Sequence, residues 1–328
     1  MRARLWKPRL LVVALVAALA AGMWGVATRP AVAFSQAFFP TQSLNDRGVD
    51  VQAIQYLLQQ AGQNVDADGV FAASTDTAVR AFQSSHGLSV DGIVGPNTWS
   101  KLVVTESSGA SGPAVKAIQV QLNRKRHAGL TVSGSFDTAT KTAVVAFQNH
   151  AGISADGIVG ATTWKNLAWH YDYPDMSVGI CDQDPDGNGL ANWGTGSAIG
   201  FLEQGVRQFE TLGYGLEPLG DISLEHGGTI NAHASHDVGL DVDVWPIRTD
   251  RAQCTAGRIT WQSPTYDQAA TRQLIQTMRA AAPGHVKFVL FNDPELIAEG
   301  LSIHYDGHDN HLHFRYCEKV HPSSLYVC

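Results

Sequence analysis

Apolar residues return at three- and four-residue intervals across residues 51–58 and again across 115–122, the stripe that an amphipathic helix turns toward a core. A Gly-rich turn then leads through Phe71 or Phe136 into a second helical pattern, residues 75–83 and 140–148, with Phe82 or Phe147 near its end. Asp91-Gly92 and Asp156-Gly157 mark tight turns, and Pro96 stands where the first turn of a third short helix accepts a residue lacking an N–H. The pattern predicts one three-helix unit, written twice. The copy is almost literal: residues 78–83, 87–95 and 98–99 recur at 143–148, 152–160 and 163–164, an offset of 65 residues. Phe82, Phe147, Trp99 and Trp164 are expected in the cores of these units. The polar stretch between Leu102 and Pro113 reads as a linker that leaves the two repeats free to move against each other.

Repeat similarity ends near residues 171–174. Across 240–244 apolar and acidic residues alternate, so in a strand Leu240, Val242 and Val244 face the core while Asp241 and Asp243 share the other face. The same period of two puts His311 and His313 on one side of a strand and Leu312 and Phe314 on the other. Residues 203–212 and 266–282 carry helical spacing, and 286–291 is a short apolar run that reads as a neighbouring strand. The expected architecture is multidomain: two all-α three-helix modules over residues 40–104 and 109–170, then an α+β domain over 172–328.

A length of 328 residues suits several cores, and 44% hydrophobic with 16% charged residues is ordinary for a folded chain. The net charge of −7, with no basic cluster beyond the N-terminus, offers no surface for nucleic acid. Arg2, Arg4, Lys7 and Arg9 precede an uncharged run over residues 10–28, and Ala31-Val32-Ala33 supplies the small residues of a cleavage site. Residues 1–33 therefore read as an export signal. The alternative is a retained anchor of near-bilayer length, which Gly22 and Gly25 weaken. With the signal removed, no stable membrane insertion is expected. Cys181, Cys254, Cys317 and Cys328, an even number in an exported chain, imply two disulfides with three pairings open. A structural zinc site on them would call for closer spacing, such as Cys-x-x-Cys.

The chemistry-bearing residues are His233, His236 and Asp243, together with His308, His311 and His313. A lone His-x-His is more often a core or surface feature than a metal site; here two such segments carry ligand types together. A catalytic zinc ion takes three nitrogen or oxygen ligands and keeps a position open for water, a set that His236, Asp243 and His313 would supply. Water under the cation drops to a pKa of about 7 and can attack an amide carbonyl. His311 is then free to act as general base and later protonate the leaving amine, or to stabilise the oxyanion. His233 and His308, one short loop away, read as orienting or transition-state residues. Asp182, Asp184 and Asp186 resemble the start of a calcium loop, but Trp193 stands where a bidentate Glu is expected, so a solvated turn is the default.

With D-G-x-x-G-x-x-T-W present at residues 91–99 and 156–164, the repeats resemble the peptidoglycan-binding domain family. That resemblance implies non-catalytic binding of wall glycan or stem peptide. Ser235-His236, Gly239 and Asp243 resemble the first motif of the lysostaphin and D-Ala-D-Ala metallopeptidase clan, a His ligand three residues before a Gly and seven before an Asp ligand. Within that clan, His233/His236 and His308/His311/His313 resemble the penicillin-insensitive murein endopeptidase family, and Trp193-Gly194, Gly220-Asp221 and Gly227-Gly228 extend the likeness over residues 175–318. The resemblance implies zinc on His236, Asp243 and His313, catalysis by His311 with His233 and His308 assisting, and a mainly antiparallel sheet. It further implies cleavage of peptide cross-links between stem peptides, by a protein secreted to the wall or the periplasm. The cysteine placement and the repeats depart from the simplest family members and leave the exact bond open. One alternative is a carboxypeptidase trimming terminal D-Ala, which would need a basic residue for a free carboxylate. The other is a non-catalytic wall-binding protein, against which the intact His236, Asp243, His311 and His313 count.

Overall fold

The computed structural model describes residues 37–183, 190–230, 233–321 and 323–328; the expected export signal and the candidate calcium residues Asp184 and Asp186 lie outside them. The first repeat folds as α1 (Val49–Gln60), α2 (Ala73–Ser85) and α3 (Pro96–Leu102), the second as α4 (Pro113–Arg126), α5 (Thr138–His150) and α6 (Ala161–Trp169). The Asp-Gly turn is held from inside the unit. Gln83 Nε2 donates to Asp91 Oδ1 at 2.8 Å and to the Ile93 carbonyl at 2.9 Å, and its Oε1 accepts from Gly92 N at 3.0 Å. Gln148 makes the same three bonds with Asp156, Ile158 and Gly157. Gly92 and Gly157 both sit at φ 74°, where a Cβ is disfavoured. Trp99 and Trp164 donate their indole N–H to the Pro40 and Val104 carbonyls and, with Phe82 and Phe147, are buried as expected. The repeated signature is therefore a folding device first.

The expected freedom between the repeats is corrected by the structure. Helix α1 lies against α4, and Ile54, Leu57, Val115 and Ile118 belong to one continuous core shared by both units. The polar connection is itself pinned, Glu106 pairing with Val159 and Ser111 with Ser135. Linker composition describes the connection and says nothing about what its flanking helices bury. Here their apolar faces are satisfied by each other.

The C-terminal domain is built from β1 (Ile180–Asp182), α7 (Gly196–Glu210), β2 (Glu217–Leu219), β3 (Asp241–Val244), α8 (Gln268–Ala281), β4 (Val286–Leu290), α9 (Pro294–Ala298) and β5 (Leu312–Tyr316). The sheet order is β1-β2-β3-β5-β4, parallel between β1 and β2 and antiparallel elsewhere, so the mainly antiparallel α+β architecture holds. Helix α7 starts earlier than its apolar spacing suggested because Thr195 caps it, accepting from Ala198 N; Asp267 caps α8 in the same way. Both helices pack into one core with Val242, Val244, Leu312 and Phe314 of the central strands. The disulfides pair Cys181 with Cys254 and Cys317 with Cys328. No described helix is long and apolar enough to cross a membrane.

The repeats are seated on this domain. Arg47 Nε donates to the Ala281 carbonyl at 3.2 Å, and Arg124 of α4 bridges Asp172 and Glu203 of α7. Backbones also meet closely here: a Cβ on Gly200 would lie 2.7 Å from Gly48 N and 2.8 Å from Gly48 Cα. Gly200→Ala is therefore expected to cost about 1–3 kcal/mol through overpacking, read as a lowered denaturation midpoint. An unchanged midpoint would show that α7 and the first repeat separate without cost.

Candidate metal centre

Strands β3 and β5 run antiparallel with Asp243 opposite His313, so the period of two places both side chains on one face of the sheet. His236 reaches them from the loop before β3. Its backbone N donates to Asp241 Oδ2 at 2.9 Å, and its φ of 76° is left-handed, a conformation that costs a non-glycine residue about 1–2 kcal/mol. His236 Nε2 lies 3.2 Å from His313 Nδ1 and 3.4 Å from Asp243 Oδ1, and His313 Nδ1 lies 2.9 Å from Asp243 Oδ1. Ligands about 2.0–2.1 Å from a tetrahedral zinc ion stand about 3.3 Å apart, so the three atoms are spaced as one face of such a shell.

The far nitrogen of each imidazole is tied. His236 Nδ1 meets the Ile222 carbonyl at 2.6 Å, and His313 Nε2 meets Asp241 Oδ1 at 3.0 Å. Each partner can accept a hydrogen bond from its ring, which directs the other nitrogen inward, where a metal ligand would present its lone pair. Arg315 pairs with Asp241 from the other side. Burial pulls the His313 pKa down, but bonds to Asp241 and Asp243 outweigh it and lift it to about 9. Burial likewise opposes ionisation of Asp243, yet the charges and bonds of His236 and His313 hold its carboxyl well below the usual range. The space among these three side chains thus favours positive charge, and the donor set fits a divalent cation.

Around this point lies a cleft of about 630 Å³ lined by His233, His308 and His311, with Phe288, Ile303 and Tyr305 as apolar wall. His311 precedes β5 by one residue. Its Nε2 is 3.9 Å from Asp243 Oδ2, its Nδ1 bonds Asn310 Oδ1 at 2.9 Å, and burial pushes its pKa down to about 4. His308 packs against His311 with ring centres 4.5 Å apart. His233 Nε2 bonds Asp221 Oδ2 at 3.0 Å, which raises its pKa, and its Nδ1 stands 3.8 Å from Asp243 Oδ2. The structure thus gathers all six sequence-selected residues. The supporting residues Asp241, Asp221, Arg315 and the Ile222 carbonyl were not assigned roles from sequence. Only the shared strand face of Asp241 and Asp243 hinted at one of them.

A pair of helical repeats joined to an α+β domain with a His/Asp donor set is the class that the fold and site define. Residues 47–102 and 111–167 match the putative peptidoglycan binding domain, and residues 188–284 match the penicillin-insensitive murein endopeptidase family. The chain thus carries two peptidoglycan-binding repeats followed by a domain of the penicillin-insensitive murein endopeptidase family. The family match holds His233, His236 and Asp243 and ends before His308. Among relatives, the N-acetylmuramoyl-L-alanine amidase CwlM of Mycobacterium tuberculosis is 36% identical over 118 residues, 32% of this chain and 29% of that protein. The zinc D-Ala-D-Ala carboxypeptidase of Streptomyces albus G is 35% identical over 105 residues, 31% of this chain and 40% of that protein. The penicillin-insensitive murein endopeptidase of Citrobacter koseri is 33% identical over 99 residues, 30% of this chain and 32% of that protein. The chain therefore spans well under half the length of these three curated relatives.

Proposed function

We propose that the chain is a zinc-dependent peptidoglycan hydrolase that cuts peptide cross-links between stem peptides, with its repeats engaging the wall. The observation that carries this reading is the convergence of His236 Nε2, Asp243 Oδ1 and His313 Nδ1 within 3.4 Å of one another at the head of a cleft. The family match over residues 188–284 supports the substrate class. Two disulfides suit a protein working outside the cytoplasm, in the wall or the periplasm.

In this reading His236, Asp243 and His313 hold the ion. Bound there, zinc would polarise the scissile carbonyl and acidify an attacking water. His311, neutral and on the rim of the donor cluster, takes the proton from the nucleophile and returns it to the leaving amine. His308 would orient His311 through ring contact, and His233, anchored by Asp221, would stabilise the charge that develops on the carbonyl oxygen. His311→Ala is expected to keep its zinc while kcat falls by roughly 10²–10⁴-fold. Wild-type turnover in that variant would reject the role.

One observation favours the carboxypeptidase reading. Arg258, exposed, holds its guanidinium 5.0 Å over the Trp245 ring, and its charge is among those that lower the His311 pKa; in the carboxypeptidase reading it would be the basic partner of a free carboxylate. Zinc-loaded protein digested with defined cross-linked dimers separates the two, read by mass. Monomers released from dimers support the endopeptidase. Intact dimers with free D-Ala support the carboxypeptidase, and no product from either substrate removes the hydrolase reading.

A further inference from the structure

Away from the cleft, three separate stretches of chain bring four more donors together: His150 at the end of α5, His170 just beyond α6, and Glu225 and His226 in the segment between β2 and β3. His150 Nε2 lies 3.1 Å and His170 Nε2 3.3 Å from Glu225 Oε1, and the two nitrogens are 3.4 Å apart. Those separations again match one face of a tetrahedral zinc shell, for which about 3.3 Å is expected. His170 Nδ1 meets the Tyr171 carbonyl at 2.7 Å, the same arrangement that aims His236 inward. The His226 ring meets His170 edge to face at 4.6 Å, and its donor falls in the group of atoms lying within 4.8 Å of one another.

We propose that His150, His170, Glu225 and His226 form a second, structural zinc site that fastens the second repeat to the C-terminal domain. Four protein ligands leave no open position, which distinguishes it from the three-ligand set in the cleft, where His236 and His313 line a cavity. Arg126 of α4 also donates to Glu225 Oε1. A carboxylate oxygen can serve both partners, and the guanidinium then supports the ligand from outside. Were the cluster only an ion-pair network, Arg126, His150 and His170 would share Glu225 among themselves and no second ion would bind. This inference is independent of the hydrolase reading.

The test uses the full, tag-free chain, equilibrated with Zn²⁺, dialysed and assayed for zinc per chain by mass spectrometry. Wild type is expected to hold two equivalents, His236→Ala one, His150→Ala one, and the double variant none. In His236→Ala, stripping the remaining zinc should lower the melting temperature, while chelator should leave the double variant unmoved. Should His150→Ala fail to fold, the near-isosteric Glu225→Gln should show the same drop to one. A wild type holding one equivalent that His150→Ala and Glu225→Gln both retain would overturn the site, as would two equivalents in either folded variant.

Discussion

Replacing His236 with alanine is expected to empty the cleft of zinc and to lower kcat/KM on cross-linked muropeptides by about 10³-fold or more, which corresponds to about 4 kcal/mol of transition-state stabilisation. His236 supplies one of three inward donors, and its ring is aimed by the Ile222 carbonyl at 2.6 Å. It also holds a φ of 76°, so alanine changes backbone preference as well as ligation. His236→Asn separates the two effects, because asparagine accepts the left-handed region more readily. Its zinc content and activity should fall as far as those of the alanine variant. Activity near wild type in both would remove His236 from the metal shell.

Lys125→Met is expected to destabilise the fold by about 3–5 kcal/mol, the usual cost of stranding one member of a buried ion pair. Lys125 is fully buried in α4, where its ammonium donates to Asp50 Oδ1 at 2.7 Å and to the Leu167 and Ala168 carbonyls at 2.8 and 3.0 Å. It thereby joins helix α1 to α4 and to the end of α6. Methionine fills the volume but leaves Asp50 with Gln121 as its remaining side-chain donor among the described residues. Adding Asp50→Asn should recover much of the loss, since the stranded charge goes with it. Urea denaturation of the single and double variants measures both. A single variant within about 0.5 kcal/mol of wild type would mean that water reaches Asp50.

The repeats were legible in the sequence because the same residues recur at the same spacing, and because the Asp-Gly turns are held by a glutamine within each unit. The candidate metal residues were legible for a similar reason. A period of two fixes which side chains share a strand face, and Asp243 and His313 then need only the register between β3 and β5 to meet. What could not be read depended on distant approach. Asp243 was singled out by its spacing from His236, but the part of Asp241 beside the candidate donors, between His313 and Arg315, came only with the structure. The contact between Gly48 and Gly200 has no signature beyond two common glycines. The meeting of His170 with Glu225 joins residues from different domains, which no local periodicity reports.

Because both repeats share one core and are joined to α7 and α8 by Arg124 and Arg47, the proposed hydrolase would act as a ruler rather than a tether. A flexible leash would let a catalytic head sweep every bond within its radius. A rigid body gripping the wall through its repeats would reach only bonds at one set displacement from the grip, so the regularity of the meshwork itself would select where it cuts.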